Sequence, residues 1–256
     1  MPNVRRTPNN LAAKKRFGQN FLVDKSVLER VVATANIAKG ERVIEIGPGR
    51  GALTRELIEA GAEVWAVEID RDMQALLQNE FSGEQNFHLV ARDILQTPLL
   101  EVLDPPFKVI GNLPYNISTA ILERLSAERS LFSDAVLMFQ REVGTRLLAR
   151  PDEPERGYLS IVAQAAFAIE KCFDIGPGAF RPSPKVWSTV LRFVPRPENA
   201  FDRPEVRSLV SQGFSQRRKM LRNTLKGVAA ASVKLDLSRR AESLTLAEWE
   251  SLAEGM

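Results

Sequence analysis

Arg42-Val43-Ile44-Glu45-Ile46-Gly47-Pro48-Gly49-Arg50-Gly51-Ala52-Leu53-Thr54-Arg55-Glu56-Leu57-Ile58-Glu59 runs from a short apolar segment through three closely spaced glycines into helical periodicity. A buried strand, a glycine-rich turn and a helix in that order form the first part of a parallel βαβ unit. Such a turn lets backbone N–H groups approach a ligand at the helix N-terminus. The spacing is Gly-x-Gly-x-Gly rather than Gly-x-Gly-x-x-Gly, which points away from a pyrophosphate ligand. On either side the alternation continues: helix over 27–35, strand over 63–67, helix over 73–80, strands over 87–90 and 107–110, helix over 119–127, strand over 135–139 and helix over 142–148. This pattern predicts a doubly wound α/β sheet.

After a Pro- and Asp-rich break at 151–157, a helix is expected over 159–167, then strands over 170–175 and 189–194 flanking a Gly/Pro-rich loop. A terminal strand pair of this kind is expected to form an antiparallel edge. Pro195-Arg196-Pro197 reads as a stiff linker. Beyond it only helical periodicity appears, over 205–214, 219–225, 237–240 and 246–253. The resulting division is an N-terminal arm (1–23), an α/β domain (24–195) and a small all-α domain (196–256).

The 256 residues are 44% hydrophobic, ample for a packed core. No run approaches the roughly 18 apolar residues of a membrane span, and the N-terminus lacks a secretory apolar core, so the cytoplasm is expected. With one cysteine, Cys172, and one histidine, His88, there is no internal disulfide and no conventional Cys/His zinc site. Both read as packing residues. The net charge of +3 is unevenly spread: 1–23 carry five basic and no acidic side chains, 206–235 carry seven and none, and the remainder sums to −9. Confining positive charge to two segments suits a protein that binds a polyanion over part of its surface. A merely solvated helix would mix signs to gain i,i+4 pairs.

Open α/β sheets bind ligands at the carboxyl ends of their strands. The predicted strand ends carry the glycine loop, Glu68, Asp93 and Asn112. Asn112-Leu113-Pro114-Tyr115 adds a specific capacity. The Asn112 side-chain oxygen and the Leu113 C=O can each accept one N–H of an amino group on a flat ring, and Tyr115 offers a stacking face. Pro114 restricts Leu113 to extended geometry.

Glu45-Ile46-Gly47-Pro48-Gly49-Arg50-Gly51, Glu68, Asp93 and Asn112-Leu113-Pro114-Tyr115 resemble the motifs of class I S-adenosylmethionine-dependent adenine-N6 methyltransferases. Phe17-Gly18-Gln19-Asn20-Phe21-Leu22, Gln140-Arg141-Glu142-Val143, Phe180-Arg181-Pro182-Ser183-Pro184-Lys185-Val186 and Phe214-Ser215-Gln216-Arg217-Arg218-Lys219 narrow the resemblance to bacterial small-subunit rRNA adenine dimethyltransferases. The resemblance implies a Rossmann-like fold that uses S-adenosyl-L-methionine and releases S-adenosylhomocysteine. It implies that Asn20 and Leu22 close over the cofactor, that Gly47 lines its methionine part, that Glu68 holds its ribose and Asp93 its adenine, and that Asn112 lies between cofactor and substrate. Phe180 is expected to face Tyr115 across a flipped base. Two rounds of N6 methylation on each of two adjacent adenines in the 3′-terminal hairpin loop of 16S rRNA are implied, with a role in small-subunit biogenesis and no metal.

Arg217, Arg218, Lys219 and Arg222 are expected to contact rRNA phosphates. A monomer is expected. Two other readings stay open: an adenine-N6 methyltransferase of 23S rRNA or DNA, and a ribosome-assembly factor that docks through its basic helices.

Overall fold

The computed structural model describes residues 19–225 and 235–254. In chain order the first elements are β1 (Phe21–Leu22), α1 (Lys25–Ala35), β2 (Arg42–Ile46), α2 (Ala52–Glu59), β3 (Glu63–Val67), α3 (Arg71–Glu80), β4 (Phe87–Val90), β5 (Phe107–Asn112), α4 (Ser118–Ala127) and β6 (Phe132–Gln140). They are followed by α5 (Arg141–Leu148), α6 (Tyr158–Ala166), β7 (Phe167–Ile175), β8 (Phe180–Arg181), β9 (Ser188–Pro195), α7 (Pro204–Phe214), α8 (Leu221–Thr224) and α9 (Leu246–Glu254).

Seven strands form one sheet in the order β4-β3-β2-β5-β6-β9-β7. The pairs β2–β3, β3–β4, β2–β5 and β5–β6 are parallel, and β9 runs antiparallel to β6. The central strands are covered on both faces, so they read as continuous apolar runs: Val43, Ile44, Val64, Ala66, Val109 and Ile110 are all fully buried. The strand order reverses between β2 and β5. That reversal opens a crevice at their carboxyl ends, which is where the glycine loop and Asn112 emerge.

Helix ends follow local chemistry. Asp24 caps α1 by accepting the Val27 N–H, Asn36 closes it in the left-handed region at φ 48°, and Asp70 caps α3 by accepting the Asp72 N–H. The two-residue strands β1 and β8 pair antiparallel, Leu22 opposite Phe180. No hydrophobic period announces strands so short.

Close contacts group the described residues up to Arg141 with Lys171–Phe193, and Glu142–Glu170 with those from Val194 on. The chain thus enters the second unit twice, at Glu142 and again at Val194, where the sequence led to the expectation of one passage after Pro195. In the second unit Ile161 and Ala165 of α6 share a core with Phe201, Leu209, Val210, Leu221 and Trp249. Arg156, 1% exposed, staples the same unit by donating to the carbonyls of Ala149 (2.6 Å) and Leu244 (3.2 Å), and burial holds its pKa below the usual guanidinium value. The Pro-rich linker thus lies where the chain enters this unit for the second time.

Two predicted helices of this region are also corrected. Segment 219–225 keeps a single turn, α8, and 237–240 is a turn whose backbone serves α8: Leu221 and Arg222 donate to the carbonyls of Arg239 (2.9 Å) and Leu237 (3.0 Å).

Candidate functional site

The crevice is a cavity of about 240 Å³ at the ends of β2, β3, β4 and β5. Nine of the residues expected at the site line it: Asn20, Leu22, Gly47, Glu68, Asp93, Asn112, Leu113, Pro114 and Tyr115. They come from five separate stretches of chain: the parallel register brings four of them to one edge, and the segment at β1 adds Asn20 and Leu22.

The glycine loop forms the floor. Gly47 and Gly49 have φ of +68° and +56°, the left-handed region that side chains resist. At Gly49 a Cβ would stand 2.9 Å from the Phe21 ring, so only glycine lets β1 lie this close over the loop. The Arg50 guanidinium covers the same ring at 4.8 Å.

Glu68 directly follows β3 and is 5% exposed. Its Oε2 accepts the Gly49 N–H at 3.1 Å and its Oε1 the Asp70 N–H at 2.8 Å, so the carboxylate is fixed beside the loop with lone pairs left for a ligand. Burial raises its pKa, with Asp70 contributing repulsion. Behind it Glu45 of β2 is 1% exposed and accepts from Thr54 Oγ1 at 2.6 Å. Burial pushes Glu45 up to about 8, reinforced by the nearby Glu68 charge. Asp93 follows β4, its Oδ1 occupied by the Leu95 N–H at 2.9 Å.

Asn112 ends β5. Its Nδ2 donates to the Asn20 carbonyl at 3.0 Å, an arrangement that leaves Oδ1 as the acceptor turned away from Asn20. Leu113 anchors the next turn with a side chain that is 1% exposed. The Tyr115 hydroxyl is tied to Ser188 Oγ at 2.5 Å, and burial raises its pKa. The Tyr115 ring is thereby held in one orientation.

Phe180 is elsewhere. It is fully buried, belongs to a core cluster with Leu22, Ile175, Ala179 and Val190, and is absent from the cavity lining. The ring expected to face Tyr115 across a base is in this structure a core residue, because β8 pairs with β1 and draws its side chain inward.

Other groups at the site escaped the sequence reading. Asp70, 1% exposed, takes Gln19 Nε2 at 3.1 Å on one oxygen and caps α3 with the other. Its position just before a helical pattern carried a capping signal, but the Gln19 contact spans 51 residues and has no local signature. Glu45 could have been noticed as a carboxylate inside an otherwise apolar strand.

Arg217, Arg218, Lys219 and Arg222 lie in the other unit, on the turn after α7 and on α8, all exposed. Arg217 Nη2 also donates to the carbonyls of Pro154 and Arg156. The two residues excluded from catalysis sit apart from the cavity lining: His88 pairs with Glu63 at 3.1 Å and stacks on Trp65, and Cys172 packs against the core. Among the described residues no cluster of His, Cys, Asp and Glu could hold a metal, and no helix is long and apolar enough to cross a membrane.

A glycine loop, a buried carboxylate after β3 and an Asn-Leu-Pro-Tyr turn at the carboxyl edge of this sheet are the arrangement of a class I S-adenosylmethionine-dependent methyltransferase. The family model described as Ribosomal RNA adenine dimethylase matches residues 10–254, and the chain belongs to that family. It is 42% identical to a protein named Ribosomal RNA small subunit methyltransferase A from Hahella chejuensis, over 94% of this chain and 92% of that one. The namesake from Geobacter sulfurreducens is 43% identical, over 97% and 96%. Among solved structures, a dimethyladenosine transferase from Plasmodium falciparum superposes with a TM-score of 0.76 at 25% identity, over 91% of this chain and 95% of that one. The 23S rRNA methyltransferase ErmE gives 0.70 at 25%, over 92% and 99%.

Proposed function

We propose that this enzyme transfers methyl groups to N6 of two adjacent adenines in the 3′-terminal hairpin loop of 16S rRNA, twice at each, on the small ribosomal subunit during its biogenesis. The observation that carries the reading is the fixed Asn112 amide beside the glycine-loop cavity, with Tyr115 clamped by Ser188. The relatives more than 40% identical over nearly the whole chain support the small subunit over the large one.

The cavity fits the cofactor. Glycines keep the loop open to a close ligand, Glu68 presents a fixed carboxylate for the ribose hydroxyls, and Asp93 and the cover of Asn20 and Leu22 complete the surround. When bound, S-adenosylmethionine supplies an activated methyl group and leaves as S-adenosylhomocysteine. The remaining task is orientation. Asn112 Oδ1 and the Leu113 C=O accept the two N–H bonds of the adenine amine and favour the pyramidal nitrogen whose lone pair can attack, while Tyr115 stacks the extruded base. Aromatic stacking contributes about 1–3 kcal/mol per base, comparable to the cost of unstacking. In the second round the amine offers one N–H, so one acceptor gives up its bond. Arg218, Lys219 and Arg222 would meet phosphates, with Arg217 shared between that role and its carbonyl contacts.

The test is methyl transfer from labelled cofactor to undermethylated small subunits, large subunits and DNA, with the modified base mapped. Dimethyladenine in the terminal hairpin of 16S rRNA is the expected product. Transfer only to large subunits or DNA overturns the proposal.

A further inference from the structure

Beside the Tyr115 clamp, the first unit displays a large aromatic ring that none of the roles above uses. Trp187 is 47% exposed and Val186 before it is 43% exposed, although β9, which begins at Ser188, is buried in the sheet. The ring is held from several sides. The Arg141 N–H donates to the Trp187 carbonyl at 2.8 Å, and the Arg141 guanidinium lies 5.6 Å from the ring centroid. The six-membered part of the indole rests against Gly176, where even a Cβ would sit at an ordinary contact distance of 3.8 Å.

A tryptophan kept partly in water costs apolar exposure, and here it has a fixed place relative to the chemistry. The next residue, Ser188, holds the Tyr115 hydroxyl at 2.5 Å. Ser188 pairs with Gln140 on β6, and Met138 of the same strand pairs with Asn112. The cation at the ring is Arg141, the exposed Lys185 lies two residues before Trp187 in the chain, and the nearby acids are already paired, Asp174 with Lys171 at 2.8 Å and Glu142 with Arg146 at 3.0 Å. A π-face beside a guanidinium suits an unpaired nucleotide, the base taking the ring and the phosphate the cation.

We infer that Trp187 and Arg141 form a second stacking platform, which receives an unpaired RNA base flanking the methylated adenine. The inference rests on the reading of the substrate as RNA and adds a subsite to it. Trp187 thereby fixes which loop geometry can deliver an adenine to Tyr115.

The experiment measures binding of the full chain to a synthetic RNA hairpin with two unpaired adenines in its loop, and to the same hairpin made abasic beside those adenines. Trp187→Ala should weaken hairpin binding about 5- to 30-fold, and Trp187→Phe should recover most of the loss. Removing the flanking base should weaken the parent but not the Trp187→Ala protein further, a non-additivity that a merely structural role would not produce. Cofactor affinity should be unchanged. Equal hairpin affinity of parent and Trp187→Ala, additive losses, or no measurable hairpin binding by the parent each overturn the platform. A loss seen with intact subunits but not with the hairpin also overturns it and assigns the surface to a ribosomal protein. If Trp187 governs hairpin affinity while the parent methylates no RNA, the platform stands and the proposed function fails.

Discussion

The glycine-loop crevice and the basic turn after α7 are built on opposite principles. In the crevice Glu45 and Glu68 are withdrawn from water and tied to specific donors, and the Asn112 amide is held by Asn20. On the turn and on α8, Arg218, Lys219 and Arg222 stand in solvent, while Arg217 also donates to the carbonyls of Pro154 and Arg156. Buried groups act through position, and moving one changes what the site can do. Exposed cations act through charge density, so each contributes a share. Chemistry and docking should therefore fail separately, and in different units of the chain.

The sharpest way to break the comparison is Asn112→Ala. Losing an acceptor that follows the amine through its change of geometry should lower turnover by about 10²–10³, by analogy with removing one oxyanion-hole donor. Subunit affinity should hold. Equal losses of turnover and binding would mean that Asn112 serves docking or folding.

Glu68→Ala should weaken cofactor binding by about 1.5–3 kcal/mol, the worth of hydrogen bonds to a charged group. Calorimetry on the folded variant decides it, and unchanged affinity removes Glu68 from the ribose.

Glu45 gives a test by pH. Its folded pKa, raised to about 8, lies above that of the unfolded chain, so the fold keeps a proton that the unfolded chain releases near 4.5. Stability from this group is therefore fully present below about 4.5 and is lost as pH rises through about 8. Glu45→Gln, which can still accept from Thr54, should flatten that decline in denaturant titrations between pH 5 and 9. A parallel decline in the variant would show that Glu45 is not its source.

The smallest effect is expected on the turn. Replacing Arg218 and Lys219 by Ala should weaken rRNA binding and reduce its salt dependence by up to about 0.9 log units per log salt for each lost duplex contact. Cofactor affinity and thermal stability should not move. Arg217→Ala should differ by also loosening the Pro154–Arg156 loop, visible as a lowered unfolding midpoint.

Most of the parallel core was legible in the sequence, because a strand buried on both faces needs an apolar run and a Gly-rich turn needs glycine. The strands over 42–46, 63–67 and 87–90 have the bounds that the pattern predicts. The strand-end residues Glu68, Asp93 and Asn112 followed from the rule that such sheets bind at their carboxyl edge, and they line one cavity. Their ligand roles came from the resemblance to known adenine methyltransferases.

Tertiary structure alone decided the rest, since each remaining feature depends on partners far away in sequence. Phe180, expected to face Tyr115 across a base, is buried where β8 pairs with β1. Segment Glu142–Glu170 precedes the linker but joins the helical unit, through Arg156 and the face of α6. The raised pKa of Glu45 and the clamp on Tyr115 likewise come from burial and from Ser188, 73 residues away. Hydrophobic period and turn chemistry are local and can be read along a chain, whereas dielectric surroundings and long-range hydrogen bonds exist only after the chain has folded.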